Sequence, residues 1–172
     1  QRQMCIRDSL HSLLHKMRLL LFLFFLYLLS WQVVVADTVK IEFTADDSYS
    51  IEVANIGVGD TIEWLPKNEG HNVEFLAGPN MEALPEKSDL NVRHAITFDL
   101  PGVYLYQCTP HGNMGMLGLI VVGNNFDNLG KIEEVELSRV AKSVLQRLIR
   151  VAKSNEQPVF IRNVLVHSGL AS

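Results

Sequence analysis

Cysteine is nearly missing from this chain: Cys5 and Cys108 are the two in 172 residues. That excludes a small scaffold stapled by several disulfides. Long apolar runs are also scarce. The longest unbroken one, Leu19–Leu29, falls short of the roughly 20 residues a spanning helix needs. No Gly-rich phosphate loop, no nucleophile–base arrangement and no basic stripe for nucleic acid occurs, which removes the common enzyme and nucleic-acid-binding classes.

What is present begins with a leader. Met17 and Arg18 precede the apolar run, and Val34-Val35-Ala36 ends it in small residues. That is the layout of a secretory signal peptide over 17–36, with cleavage expected after Ala36 and a membrane anchor as the alternative. Residues 1–16 precede an already complete leader and are expected to be a non-native upstream segment. Cys5, His11 and His15 go with them. The mature chain then keeps Cys108 alone. In an oxidising compartment an unpaired thiol is open to oxidation, so a further occupant of the sulfur is expected.

From Asp37 to Asp127 the chain reads as short strands broken by Gly, Pro, Asn and Asp. The runs are 38–43, 49–55, 60–65, 71–75, 94–100, 103–108 and 117–123. Seven such runs without a helical period predict an all-β sandwich or barrel. Residues 77–91 read as a long loop. From Leu129 apolar residues recur every three or four positions, predicting one or two amphipathic helices within 128–157, broken near Glu134 and packed on the sheet. Residues 158–172 read as a tail.

Chemistry concentrates in "QCTPHGNMGM", residues 107–116. Cys108 closes a strand, His111 follows in a Pro-containing turn, and Met116 opens the next strand. Upstream, His71 follows Gly70. A thiolate, two imidazoles and a weak thioether are the blue-copper set, in which two His and one Cys form a trigonal plane with a distant axial Met. Three donors on one loop are held by the strands on either side, and the fourth makes the geometry depend on the fold. Asn72 is expected to brace the loop against Thr109. Tyr104 and Tyr106 share a face with Cys108 by strand alternation and read as core aromatics. His94 and His167 sit in no ligand spacing.

"YQCTPHGNMGM" together with "EGHNVEF" closely resembles the pseudoazurins, small blue-copper proteins of the cupredoxin family, over about residues 37–154. The resemblance implies a Greek-key β-sandwich with a C-terminal helical extension, and one type 1 copper ion per chain on His71, Cys108, His111 and Met116. It places Met116, rather than Met114, as the axial thioether. It implies a monomeric, non-enzymatic electron carrier of the periplasm, free of the membrane once the leader is removed and without a nucleic-acid partner. Its partners would be redox proteins such as nitrite reductase, nitrous oxide reductase or cytochrome c. The electron would pass at His111, with Pro110, Gly112, Met114 and Gly115 as the docking face. The other reading is a copper store or delivery protein on the same scaffold.

Charge departs from the family pattern. Residues 37–127 carry four basic groups against fourteen acids, whereas 128–172 carry seven against four. Where relatives present a lysine ring around the copper face, only Lys67 and Lys87 are available here.

Overall fold

Along "VYLYQC" the residues alternate in chemistry, and the strand sorts them by parity. Strand β6 (Gly102–Gln107) pairs antiparallel with β7 (Leu117–Val122), Tyr106 opposite Gly118 and Gln107 opposite Leu117. Tyr104, Tyr106, Met116, Ile120 and Val122 face one core, and Val103, Leu105, Leu117, Leu119 and Val121 face another. Successive side chains of a strand point to opposite faces, so both faces of this sheet are buried. Gly118 makes the pairing possible: a Cβ there would lie 2.2 Å from Tyr106 Cζ.

The computed structural model describes residues 16–22 and 36–156. Residues 16–22 are helical, while residues 23–35 of the expected leader, residues 1–15 and the tail 158–172 lie outside the described residues. Among the described residues no helix is long and apolar enough to cross a membrane.

Two sheets build the body from Ala36 onward. One has the order β1 (Thr38–Glu42), β3 (Thr61–Leu65), β5 (His94–Thr97), with β1 parallel and β5 antiparallel to β3. The other has the order β2 (Val53–Ile56), β7, β6, β4 (Glu74–Ala77), with β2 parallel to β7. Between them lies an aromatic-rich core that includes Phe43, Tyr49, Trp64, Phe75, Phe98 and Tyr106. Each large apolar side chain so buried stabilises the fold by about 1.5–3 kcal/mol relative to exposure. The fold is a Greek-key β-sandwich with a C-terminal helical extension.

The helices cover the outer face of the second sheet. Helix α1 (Leu129–Glu133) ends at Glu134, and α2 (Arg139–Glu156) follows. Ile132, Ala141, Leu145, Leu148, Ile149 and Ala152 pack with Leu117, Leu119 and Val121. Val140 and Val151 of α2 are exposed, while Ile149 and Ala152 are inside. Ser138 starts α2, its Oγ accepting from Ala141 N–H at 3.1 Å, as capping residues do. The same hydroxyl donates to the Asn113 carbonyl at 2.6 Å, tying the helix to the loop between β6 and β7. At the other end of the sheet contact, Arg147 grips Glu52 with two bonds of 2.8 Å.

Candidate metal centre

The loop from Cys108 to Met116 is closed by its own backbone. Cys108 N–H donates to the Met116 carbonyl at 3.1 Å, and Met116 N–H donates to the His111 carbonyl at 3.2 Å. His111 and Gly112 both donate to the Cys108 carbonyl, at 3.2 and 2.7 Å. A short 3-10 turn, Gly112–Met114, then ends at Gly115, whose φ of 106° is open to glycine at little cost. Val144 of α2 would lie 2.9 Å from a Cβ at Gly115, so the turn seats directly under the helix.

His71 comes from the other side of the core, just ahead of β4. The sequence reading placed it within a strand, but pairing begins at Glu74. Bonds to neighbouring loops hold this stretch instead. Gly70 N–H donates to Asn91 Oδ1 at 2.6 Å, Asn91 N–H donates to the His71 carbonyl at 2.9 Å, and Tyr49 Oη–H donates to the Asn72 carbonyl at 2.9 Å. Asn72 then reaches the loop, donating to Thr109 Oγ1 at 3.0 Å and accepting from Thr109 N–H at 2.8 Å. It also donates to the Ser88 carbonyl at 3.2 Å.

Three donor atoms converge as a result. Cys108 Sγ lies 3.7 Å from His71 Nδ1 and 3.7 Å from His111 Nδ1, and the two Nδ1 atoms are 3.1 Å apart. Bonds from a first-row metal to nitrogen and sulfur of about 2.0–2.3 Å, set in a plane, require edges of roughly 3.5–3.8 Å. The spacing therefore fits such an ion after a small opening between the imidazoles. Cys108, His71 and Met116 are buried, and Met116 shares the inter-sheet core with Cys108. His111 keeps 23% of its side chain exposed.

Burial pushes the Cys108 thiol up, against hydrogen bonds from the backbone at Asn72 and His111 that hold it down. Burial, and then the charge of His111, depress His71, opposed by Asp47. Both shifts favour the neutral thiol and imidazole, and metal binding must expel the thiol proton.

The expected docking face lies only partly at the surface. Pro110 and Met114 are exposed, Gly115 is half-buried and Gly112 is buried, so Gly112 adds no surface to a docking face. A Cβ at Gly112 would instead lie 2.1 Å from Gln107 Oε1. His94 stands on β5 against the Trp64 ring, centroids 5.9 Å apart. His167 lies outside the described residues. Lys67 and Lys87 are each neutralised locally, by Glu42 at 3.8 Å and Glu74 at 3.6 Å.

Sequence reasoning missed several supports. Glu74 Oε2 accepts from Thr109 Oγ1 at 2.9 Å and from Gln107 Nε2 at 3.0 Å, a contact that the strand register between Glu74 and Gln107 could have suggested. Ser88 and Asn91 act from the 77–91 loop and its end, where no pattern announces them. Asp47, from a loop after β1, places Oδ1 3.6 Å from His71 Nε2 and 3.7 Å from His111 Nδ1.

Comparison with known proteins agrees with this geometry. Residues 35–123 match the family of copper binding proteins, plastocyanin/azurin family. A putative pseudoazurin of Rhizobium leguminosarum bv. viciae is 40% identical over 94 residues, covering 54% of this chain and 60% of that protein. The pseudoazurin of Methylorubrum extorquens is 36% identical over 91 residues, covering 52% and 62%. The chain thus spans about three fifths of the length of these curated relatives. The crystal structure of pseudoazurin from Methylobacterium extorquens superposes with a TM-score of 0.60 at 28% identity, covering 69% of this chain and 99% of that one. Pseudoazurin from Hyphomicrobium denitrificans gives a TM-score of 0.60 at 25% identity, covering 66% and 97%. With its sandwich, its convergent sulfur and imidazoles and the family match over more than half its length, this chain belongs to the plastocyanin/azurin family of copper-binding proteins.

Proposed function

We infer that this chain is a periplasmic carrier of single electrons, with one type 1 copper ion held by His71, Cys108, His111 and Met116. The observation that carries the reading is the convergence of one buried thiol and two imidazole Nδ1 atoms within 4.8 Å of one another. Bound there, copper would supply a one-electron couple. The protein's own part is to keep the donors fixed. Asn72 and the backbone bonds of the loop hold Cys108 and His111 in place through either oxidation state, so little reorganisation opposes transfer. Burial of Cys108, His71 and Met116 excludes water from the donors. His111 alone reaches the surface, flanked by exposed Pro110 and Met114, and its ring edge is the exit for the electron.

Redox partners of a respiratory chain, such as nitrite reductase, nitrous oxide reductase or a cytochrome c, fit this role. Protein loaded with cupric ion should develop an intense visible charge-transfer band and exchange electrons with such a partner. Met114→Glu should slow that exchange while leaving the band intact. A colourless protein that holds copper tightly would instead support storage or delivery.

A further inference from the structure

The carboxylate of Asp47 is the charged group nearest the two imidazoles that the proposed copper reading does not use. Its Oδ1 lies 3.6 Å from His71 Nε2, the ring nitrogen turned away from Cys108, and 3.7 Å from His111 Nδ1. It arrives from a loop after β1, on neither the Cys108 loop nor the His71 segment. Its backbone has a φ of 51°, the left-handed region, and its side chain is 51% exposed. Thr44 and Ser48 close that loop through four mutual bonds of 2.7 to 3.2 Å, which hold the backbone on either side of Asp47.

We propose that Asp47 sets the reduction potential of the site by holding a negative charge beside both imidazoles. The inference rests on the copper reading given above. An oxidised site carries one more positive charge than a reduced one, so a fixed carboxylate stabilises the oxidised form and lowers the potential. Half exposure screens this charge, but a few ångströms from both imidazoles it still outweighs more distant surface acids. At 3.6 Å the carboxylate lies beyond hydrogen-bond reach of His71 Nε2, so it acts on the two imidazoles through its charge alone. Asp47 touches neither the donor sulfur nor the electron's path and acts through His71 and His111.

The test is a spectroelectrochemical titration of copper-loaded wild type, Asp47→Asn, Asp47→Glu and Asp46→Asn, read at the charge-transfer band. Asparagine tolerates left-handed backbone, so Asp47→Asn keeps the loop while removing the charge. The expected result is a shift of the oxidised-to-reduced preference by about fivefold toward the reduced form in Asp47→Asn, about 40 mV upward at about 59 mV per tenfold. Asp47→Glu should restore most of the lowering, and Asp46→Asn should move the potential by less than half as much. A potential in Asp47→Asn equal to that of Asp46→Asn, with the band intact, overturns the inference while leaving the copper reading standing. Absence of the band in wild type overturns the copper reading, and this inference with it.

Discussion

Asn72 and Thr109 are joined by two hydrogen bonds, Asn72 Nδ2 to Thr109 Oγ1 at 3.0 Å and Thr109 N–H to Asn72 Oδ1 at 2.8 Å. One residue follows His71 and the other follows Cys108, so this pair locks the segments that carry donors from opposite sides of the core.

Asn72→Ala should therefore destabilise the protein by about 2–3 kcal/mol, because Asn72 is 2% exposed and its truncation leaves the Thr109 amide without its acceptor. Urea unfolding of the metal-free protein measures this. Copper-loaded protein should show a broadened or shifted visible band as well, since the two segments lose their register.

Acid should act through Glu74. A hydrogen bond from Gln107 above all, helped by Thr109 and Lys87 against the opposing effect of burial, holds its carboxyl below the usual 4.5. Its folded value lies below its unfolded one, so the stability it contributes is present above about pH 4.5 and is lost as pH falls through the folded value. Glu74→Gln should cost about 1 kcal/mol at neutral pH, and that deficit should shrink as the pH is taken down from about 4.5 through the folded value. Denaturation midpoints of both proteins across this range are the check.

The two methionines of the loop should behave differently. Met116 is buried in the inter-sheet core, and Met114 is 61% exposed. If Met116 supplies the weak axial thioether, Met116→Leu should keep copper bound and raise the reduction potential, since the thioether modestly favours the cupric state. Neither change should cost more than about 1.5 kcal/mol, as leucine and methionine are close in volume. Voltammetry of both variants decides the matter, and a shift confined to Met114→Leu would reverse the order.

Much of this architecture was legible in the chain because a strand with one buried face, such as β1, alternates apolar and polar residues, whereas β7, buried on both faces, reads as an unbroken apolar run. Each of the seven runs overlaps one observed strand, with β2, β4 and β6 reaching past the expected bounds, and the break before α2 begins at Glu134. The misses have physical causes. The run 49–55 is divided, with Tyr49 bridging Phe43 and only Val53–Ile56 pairing with β7, because the chain crosses from one sheet to the other between them. The 71–75 run pairs only from Glu74, since the backbone of Gly70 and His71 is bound to Asn91 and that of Asn72 to Tyr49, not to a neighbouring strand. At the site, the Cys108 loop was readable from spacing, since its donors are close in sequence. Asp47 was not. It meets His71 and His111 only through the fold, and nothing in the residues around it differs from an ordinary acidic turn.

The most direct test of the central claim is the visible absorption spectrum of wild type and Cys108→Ser after cupric ion is added, with circular dichroism on the same samples. The thiolate supplies the charge-transfer band, whereas the strands supply the core. Wild type should turn intensely blue or green, and the serine variant should lose the band while keeping the β-sheet signal. A serine variant that retains the band would show that Cys108 is not the ligand, and the assigned centre would fail with it.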